Sequence, residues 1–405
     1  MLAVVDRAKA LGVGMMNCVE LFTGCGGLAL GLSMAGFKPQ RMSEWDRHSV
    51  VNILHNRSRE IAHVSGWPIH EEDVRTVDWS SYQGIDMVAG GPPCQPFSIG
   101  GRHRGHEDER DMWPEAVLVV REARPAGFLF ENVRGLAREA FADYLRWVML
   151  SLSCPDIERR PNEDRHAHLA RLQAVTTEEA AYRVAVHRVN AADYGAAQNR
   201  HRVIVLGLRA DVRAPLPALM PTHSRERLLW DQWVTGEYWS RHNMSAPKAG
   251  VSRADAGAAR RLLEAKMPPA GLPWRTVRDA IQGLNEPSLR PTIPNHVLQA
   301  GARAYPGHTG SVLDRPAKAL KAGVHGVPGG ENMVALSDGS VRYFSVREAA
   351  RLQGLPDDYE FVGTWSENMR QCGNAVPVPL AEAVGREMFE AVRGARKRAP
   401  RLKAA

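Results

Sequence analysis

The stretch that decides the fold is Val19-Glu20-Leu21-Phe22-Thr23-Gly24-Cys25-Gly26-Gly27-Leu28. A hydrophobic run over Asn17–Phe22 reads as a strand, and three glycines within four residues then turn the chain into a helix predicted over Leu28–Ala35. Glycine suits a turn that bends sharply and brings backbone up to a ligand with no Cβ in the way. The pattern is Gly-x-Gly-Gly, without the third glycine of a dinucleotide fingerprint. A nucleoside ligand lacking pyrophosphate, such as S-adenosylmethionine, fits it better; so does an ordinary tight strand-to-helix turn. Glu44 follows Gly24 by twenty residues, the spacing of an acid that binds the two hydroxyls of a ribose.

Outward from this turn, strands are predicted at Asp86–Gly90, Phe128–Glu131, Val184–Val189 and Val203–Leu208. Helices are predicted at Trp113–Arg121 and Leu136–Leu152. This alternation is that of a doubly wound α/β domain. Residues 155–180 are charged and weakly periodic, a surface excursion. From Leu208 to about Tyr343 the alternation lapses into Pro, Gly, Trp and Arg, and Trp230, Trp233, Trp239 and Trp274 fall there. That predicts a separate, irregular module. Helical patterning returns at Val346–Leu352 and Pro379–Val392.

At 405 residues the chain has room for two or three domains. Its 44% hydrophobic and 24% charged residues exclude a collagen, a coiled coil and a mostly disordered chain. No apolar run approaches the roughly 18 residues of a membrane helix, so no membrane partner is expected. Five scattered cysteines make neither a disulfide framework nor a zinc site, which points to a reducing cytosol. Net charge is +7, with 14 basic against 8 acidic residues between Leu208 and Val312. Arg393–Ala405 adds six basic residues and no acid. Positive charge confined to one internal segment and one tail suits a face turned toward a polyanion.

Gly90-Gly91-Pro92-Pro93-Cys94-Gln95-Pro96-Phe97-Ser98 closes the strand Asp86–Gly90. Its prolines and glycines fix the backbone path, and Cys94 lies at a strand end, where α/β folds place their chemistry. Residues Ile99–Asp111, with three glycines and many charges, read as a lid. The remaining cysteines lack such framing, and the histidines, the Arg165–His168 run included, read as surface residues. No metal is expected.

Together the Phe-x-Gly-x-Gly-Gly turn and the Gly-Pro-Pro-Cys-Gln-Pro-Phe-Ser block resemble the DNA (cytosine-5)-methyltransferases. Further blocks follow in that family's order: Glu131-Asn132-Val133, Gln198-Asn199-Arg200-His201-Arg202, Arg347-Glu348-Ala349-Ala350-Arg351-Leu352-Gln353-Gly354 and Gln371-Cys372-Gly373-Asn374-Ala375-Val376. The match spans about residues 17–207 and 314–392 and looks like the compact prokaryotic form. It implies a Rossmann-like S-adenosylmethionine-dependent catalytic domain at 1–207, with a C-terminal return at 366–405. A mainly irregular and β target-recognition domain would occupy 208–365.

The resemblance also implies the chemistry. Carbon 5 of cytosine is a poor nucleophile until a thiolate adds to carbon 6, and Cys94 would supply it. Glu131 would bond or protonate ring N3, its carboxyl protonated or sharing a proton when the base binds. Arg202 would steady charge near O2, with Gln198 and Arg200 bracing the site. Arg200 and Arg202, two apart before Val203, would share one face of a strand. The cofactor, leaving as S-adenosylhomocysteine, would meet Phe22, Thr23, Gly24, Cys25, Gly26 and Gly27. Glu44 would bind its ribose, Trp45 would stack on adenine, and Asp73 and Val74 would hold the adenine amino edge. Pro93, Trp113, Asn374 and Val376 would complete the pocket, although a tryptophan at 113 is bulkier than the family's usual aliphatic residue.

The implied partner is double-stranded DNA with one base extruded, together with a cognate restriction endonuclease, and the enzyme is expected to be a cytoplasmic monomer. Thr276-Val277-Arg278-Asp279-Ala280 resembles a stretch that precedes the specificity part, which favours residues 285–343 over 210–270 as readers of sequence. Two other readings share the fold. An RNA (tRNA) cytosine methyltransferase would carry a Cys-Phe-Thr tripeptide, and no cysteine here precedes phenylalanine. A non-catalytic DNA-binding relative would have lost one of Cys94, Glu131 and Arg202.

Overall fold

The computed structural model describes residues 14–93, 111–322 and 332–396. Its strands are β1 (Met16–Leu21), β2 (Phe37–Glu44), β3 (Ile69–Glu71), β4 (Met87–Gly90), β5 (Gly127–Val133), β6 (Tyr182–Asn190), the two-residue β7 (Gln198–Asn199) and β8 (His201–Arg209). All but β7 form one sheet in the order β3-β2-β1-β4-β5-β8-β6. Its pairs are parallel except that β8 runs antiparallel between β5 and β6. The order reverses at β1, with β2 and β3 on one side and β4 and β5 on the other. Open α/β sheets bind ligands in the crevice at such a reversal, outside the carboxyl ends of the strands.

Burial explains which strands the sequence discloses. β4 is buried throughout and β5 all but its last residue, so both read as short apolar runs. β2 instead exposes Lys38 and Gln40 on either side of the buried Pro39, which disguises it as a polar segment. Helices α1 (Gly27–Ala35) and α2 (Arg47–Ser58) follow β1 and β2, α3 (Trp113–Ala123) precedes β5, and α4 (Ala142–Ser153) and α5 (Arg165–Gln173) lie between β5 and β6. The helix predicted at Leu136–Leu152 is regular only as α4; two 3-10 turns, Arg134–Ala137 and Glu139–Phe141, take up its start.

The chain end returns to the first helix through small residues. A Cβ on Gly27 would lie 2.4 Å from the Val376 carbonyl oxygen, and one on Gly31 would lie 2.4 Å from the Ala381 methyl. The helix Val378–Arg396 can therefore press against α1, and Phe389 adds an edge-on contact to Phe37. One apolar core joins Cys25, Leu30 and Ile53 of the first units to Val277, Leu320, Phe344 and Leu352. A second, around Trp113, Phe128, Phe130 and Trp147, fills the other face of the sheet. A small separate cluster of Leu228, Tyr238 and Trp239 sits under Trp233 and Trp274.

Two features depart from the reading of the sequence. Among the described residues the segment from Leu208 to Tyr343 contains four helices, Arg225–Trp233, Glu237–Arg241, Ala256–Ala265 and Val277–Ile281, besides its short strands. The excursion at 155–180 contains α5, and His168 on it is buried rather than superficial. Its Nδ1 accepts from Trp147 Nε1 at 3.0 Å and its Nε2 donates to the Ile157 carbonyl at 2.7 Å. Both ring nitrogens are used, so this histidine is a neutral core group.

Candidate active site

β1, β4 and β5 end on one rim of the sheet, with Leu21 paired to Gly90 and Gly90 to Phe130. The turn after β1 is left-handed at Phe22 (φ 56°), Gly24 (57°) and Gly26 (80°). Only the glycines adopt this region without strain, so Phe22 is held there by its surroundings. The three turn glycines face different things. A Cβ on Gly26 would strike the Trp67 ring at 2.4 Å, while one on Gly24 would meet nothing within 4 Å. Gly24 therefore presents bare backbone to open space, and Gly26 and Gly27 serve packing.

Glu44, closing β2, is tied to this turn. Its Oε2 accepts from the Gly24 amide at 2.7 Å and its Oε1 from the Asp46 amide at 2.8 Å. Each carboxylate oxygen keeps a further lone pair for a ligand hydroxyl. Burial pushes the Glu44 pKa up, and those two amides pull it back. Trp45 is 70% exposed, a large ring left in solvent beside a fixed acid. Asp73 caps a 3-10 turn and pairs with Arg75, which lowers its pKa, and Val74 is buried. Trp113 is fully buried against Phe130, and its Nε1 has no partner among the described residues. Asn374 is exposed, while Val376 is buried against Gly27. Cys25 packs under Tyr359, and burial pushes its thiol up to about 12, so it stays protonated. Bare backbone at Gly24, an anchored carboxylate and an open indole suit a nucleoside cofactor.

Cys94 and most of the lid predicted at 99–111 lie outside the described residues; the chain leading into Cys94 does not. A Cβ on Gly91 would lie 3.7 Å from Glu131 Oε2, and Asn132 Nδ2 donates to the Pro92 carbonyl at 3.0 Å. The approach to the cysteine is thus pinned to the Glu131-Asn132 strand end. Arg202 Nε lies 2.5 Å from Glu131 Oε1, with both side chains about nine-tenths buried. The register explains the pair: Arg202 opposes Val133, and Glu131 lies two residues along the same face.

Arg200 goes elsewhere. Residue 200 falls between β7 and β8, so the shared strand face expected for Arg200 and Arg202 is not formed. Its guanidinium is buried and donates to the Leu320 carbonyl at 2.9 Å and the Gly373 carbonyl at 2.6 Å. Gln198 joins the same brace through the Leu352 carbonyl and the Gln353 side chain, each at 3.0 Å. The pairing of Ala317–Lys318 with β7 completes it. Among the described residues no group of three or more His, Cys, Asp or Glu could hold a metal ion, and no helix is long and apolar enough to cross a membrane.

Glu20 was not singled out in the sequence. It is buried in β1, and neither carboxyl oxygen is hydrogen-bonded among the described residues; it faces the start of α1, whose N-cap Gly26 brings no side chain. Burial holds its pKa well above the usual carboxylate range, against a pull from the Ala29 amide. An acid within a mostly apolar strand was the only available signal.

The pattern of the family described as C-5 cytosine-specific DNA methylase matches residues 16–153 and 164–390. The chain belongs to that family. This methyltransferase is 29% identical over 379 residues to Type II methyltransferase M.NgoMIV of Neisseria gonorrhoeae, covering 93% of this chain and 97% of that one. It is also 29% identical to M.Eco47II of Escherichia coli, over 95% of this chain and 81% of the relative. Its fold is shared with an E. coli prophage-encoded protein described as a DNA modification methyltransferase (TM-score 0.56, 21% identity, 93% and 99% covered). It is shared too with the S. pombe Dnmt2 methyltransferase (TM-score 0.54, 15% identity, 93% and 98% covered). The methyltransferase accordingly methylates C5 of cytosine in DNA, and S-adenosylmethionine is its methyl donor.

Proposed function

We propose that the enzyme acts on a cytosine turned out of duplex DNA, with Cys94, Glu131 and Arg202 around the ring. The observation that carries this reading is the bond from Asn132 to the Pro92 carbonyl beside Glu131, which leaves only Pro93 in the sequence between that anchor and Cys94. Cys94 adds through sulfur to carbon 6, and the ring electrons move toward N3. Glu131 meets N3 with a proton, and Arg202, held by Glu131, steadies charge near O2. Bound S-adenosylmethionine supplies an electrophilic methyl group to carbon 5. Loss of the carbon 5 proton then lets the Cys94 sulfur leave and restores the aromatic ring. Phe22, Thr23 and Gly24 line the cofactor with backbone, Glu44 takes the ribose hydroxyls, and Trp45 stacks on adenine. Asp73, Val74, Pro93, Trp113, Asn374 and Val376 close the pocket, and Arg200 positions the site without touching the base.

Residues 208–365 serve as the target-recognition part, and reading falls mainly to 285–343. Support comes from Pro287–Leu313, which contains no acid and exposes Leu289, Arg290, Val297, Arg303 and Tyr305. Extruding the base costs a few kcal/mol, which contacts from this surface offset. The relatives' Type II names support pairing with a restriction endonuclease.

The test is trapping with a duplex that carries 5-fluorocytosine. Fluorine cannot leave as a cation, so an active Cys94 yields a covalent adduct that survives denaturation, and Cys94→Ala yields none. Adduct formation by Cys94→Ala, or label transferred to tRNA and not to duplex DNA, overturns the proposal.

A further inference from the structure

The strands β5, β8 and β6 reach the catalytic rim in one row, Val133–Arg202–Val189. Exposed arginines surround that row. Arg134 follows β5 directly, Arg138 comes one short turn later, and Arg188 precedes Val189 on the edge strand. Several other arginines of this domain are paired: Arg121 with Glu158, Arg124 with Asp156, Arg171 with Glu163. Arg134, Arg138 and Arg188 form no ion pair among the described residues.

Arg188 Nη2 donates to the Ala137 carbonyl at 3.0 Å, which holds it against the turn that bears Arg138. Arg138, Arg146 and Arg188 line one open cleft of about 680 Å³ over Leu145 and Met149, and Glu139 is the acid among its lining residues. The rim is continuous with the active site. His201, one residue before Arg202, is kept below its ordinary pKa by partial burial and then by the charges of Arg134 and Arg202. Exposed guanidiniums without acid partners, grouped beside a site that takes DNA, match a polyanion backbone rather than a base edge.

We propose that Arg134, Arg138 and Arg188 grip the sugar-phosphate backbone of duplex DNA on the β6 side of the target base. The grip rests on the methyltransferase reading and adds to it. It lies outside 208–365, so the duplex is held from two sides, and it carries affinity without sequence information.

The test measures binding of a duplex containing the methylated motif, and of a scrambled duplex, across a salt series. Replacing all three arginines by glutamine should lower the slope of log K against log salt by about 0.9 per lost contact, about 2.7 in total. Binding of both duplexes should weaken together, while the methylated motif and S-adenosylmethionine binding stay as in wild type. Triple replacement by lysine should keep most of the slope. Lys38→Gln, at the opposite end of the sheet, should leave it unchanged. A triple glutamine variant whose slope matches that of Lys38→Gln overturns the grip, even where the wild type methylates DNA normally. A wild-type chain that neither binds nor methylates any duplex overturns the functional reading, and the grip with it.

Discussion

Arg200 and Gly373 are 173 residues apart in sequence and joined by a 2.6 Å hydrogen bond in a fully buried setting. The same guanidinium also takes the Leu320 carbonyl. One side chain thus fastens the approach to β8 to the chain end that returns over α1. Truncation would orphan two buried carbonyls at roughly 1–3 kcal/mol each. Arg200→Ala should therefore cost about 2–6 kcal/mol in urea unfolding, with residual activity tracking the folded fraction. A variant that unfolds like wild type yet has lost kcat would instead make Arg200 a catalytic group.

Glu131 is to be separated from the cofactor site. Gln at this position keeps the shape and loses the proton donor, so Glu131→Gln should lower kcat by about 10²–10⁴. S-adenosylmethionine affinity measured by calorimetry should change less than twofold. Turnover equal to wild type would remove Glu131 from the acid role.

The glycine turn yields a paired prediction. Gly24 opens on empty space and Gly26 faces the Trp67 ring at 2.4 Å, both at positive φ. Gly24→Ala should cost about 1–2 kcal/mol of backbone strain while weakening cofactor binding tenfold or more. Gly26→Ala adds a collision and should cost about 1–3 kcal/mol further. Equal cofactor affinity for Gly24→Ala and wild type would show that the ligand does not lie over that residue.

The parts legible in the sequence share a cause. The turn at Phe22–Gly27, the Gly91–Pro93 approach and the Glu131–Val133 strand end sit where backbone must bend next to chemistry, and Gly, Pro and buried acids mark such places. Other features depend on packing that short-range pattern does not carry. The helix Arg225–Trp233 is capped by Ser224 onto the Arg227 amide, yet its tryptophans and charges gave no clean period. His168 reads as one histidine of a polar run, and only α4 supplies the Trp147 that buries it. Arg200 and Arg202 look equivalent by spacing, and the break between β7 and β8 sends one to a brace and the other to Glu131.

Tyr305 offers a test of where DNA sequence is read. Its exposed ring stacks on His308 with centroids 4.3 Å apart, on a turn with Gly307 and Gly310 at positive φ. Nothing in the core depends on it, so Tyr305→Ala should leave folding and cofactor binding intact. Discrimination between the methylated motif and single-base variants should shift by about 1–3 kcal/mol, roughly five- to more than a hundredfold. Bisulfite sequencing of DNA from expressing cells reads this directly. An unchanged motif with unchanged preferences would move the readers to other residues.

Glu20 makes stability depend on pH in the less common direction. Burial raises its folded pKa well above the unfolded value, so the folded chain keeps a proton that the unfolded chain releases. Its contribution is fully present below the unfolded pKa of about 4.3 and is lost as pH rises toward the folded value. Across that window each pH unit costs up to about 1.4 kcal/mol. Glu20→Gln cannot ionise and should remove this slope. Urea unfolding at pH 5 and pH 8 should show a smaller loss of stability for the variant than for wild type. At pH 8 the variant should be the more stable of the two. Identical losses in both proteins would mean that Glu20 is already ionised in the fold, with the pull of the Ala29 amide outweighing burial.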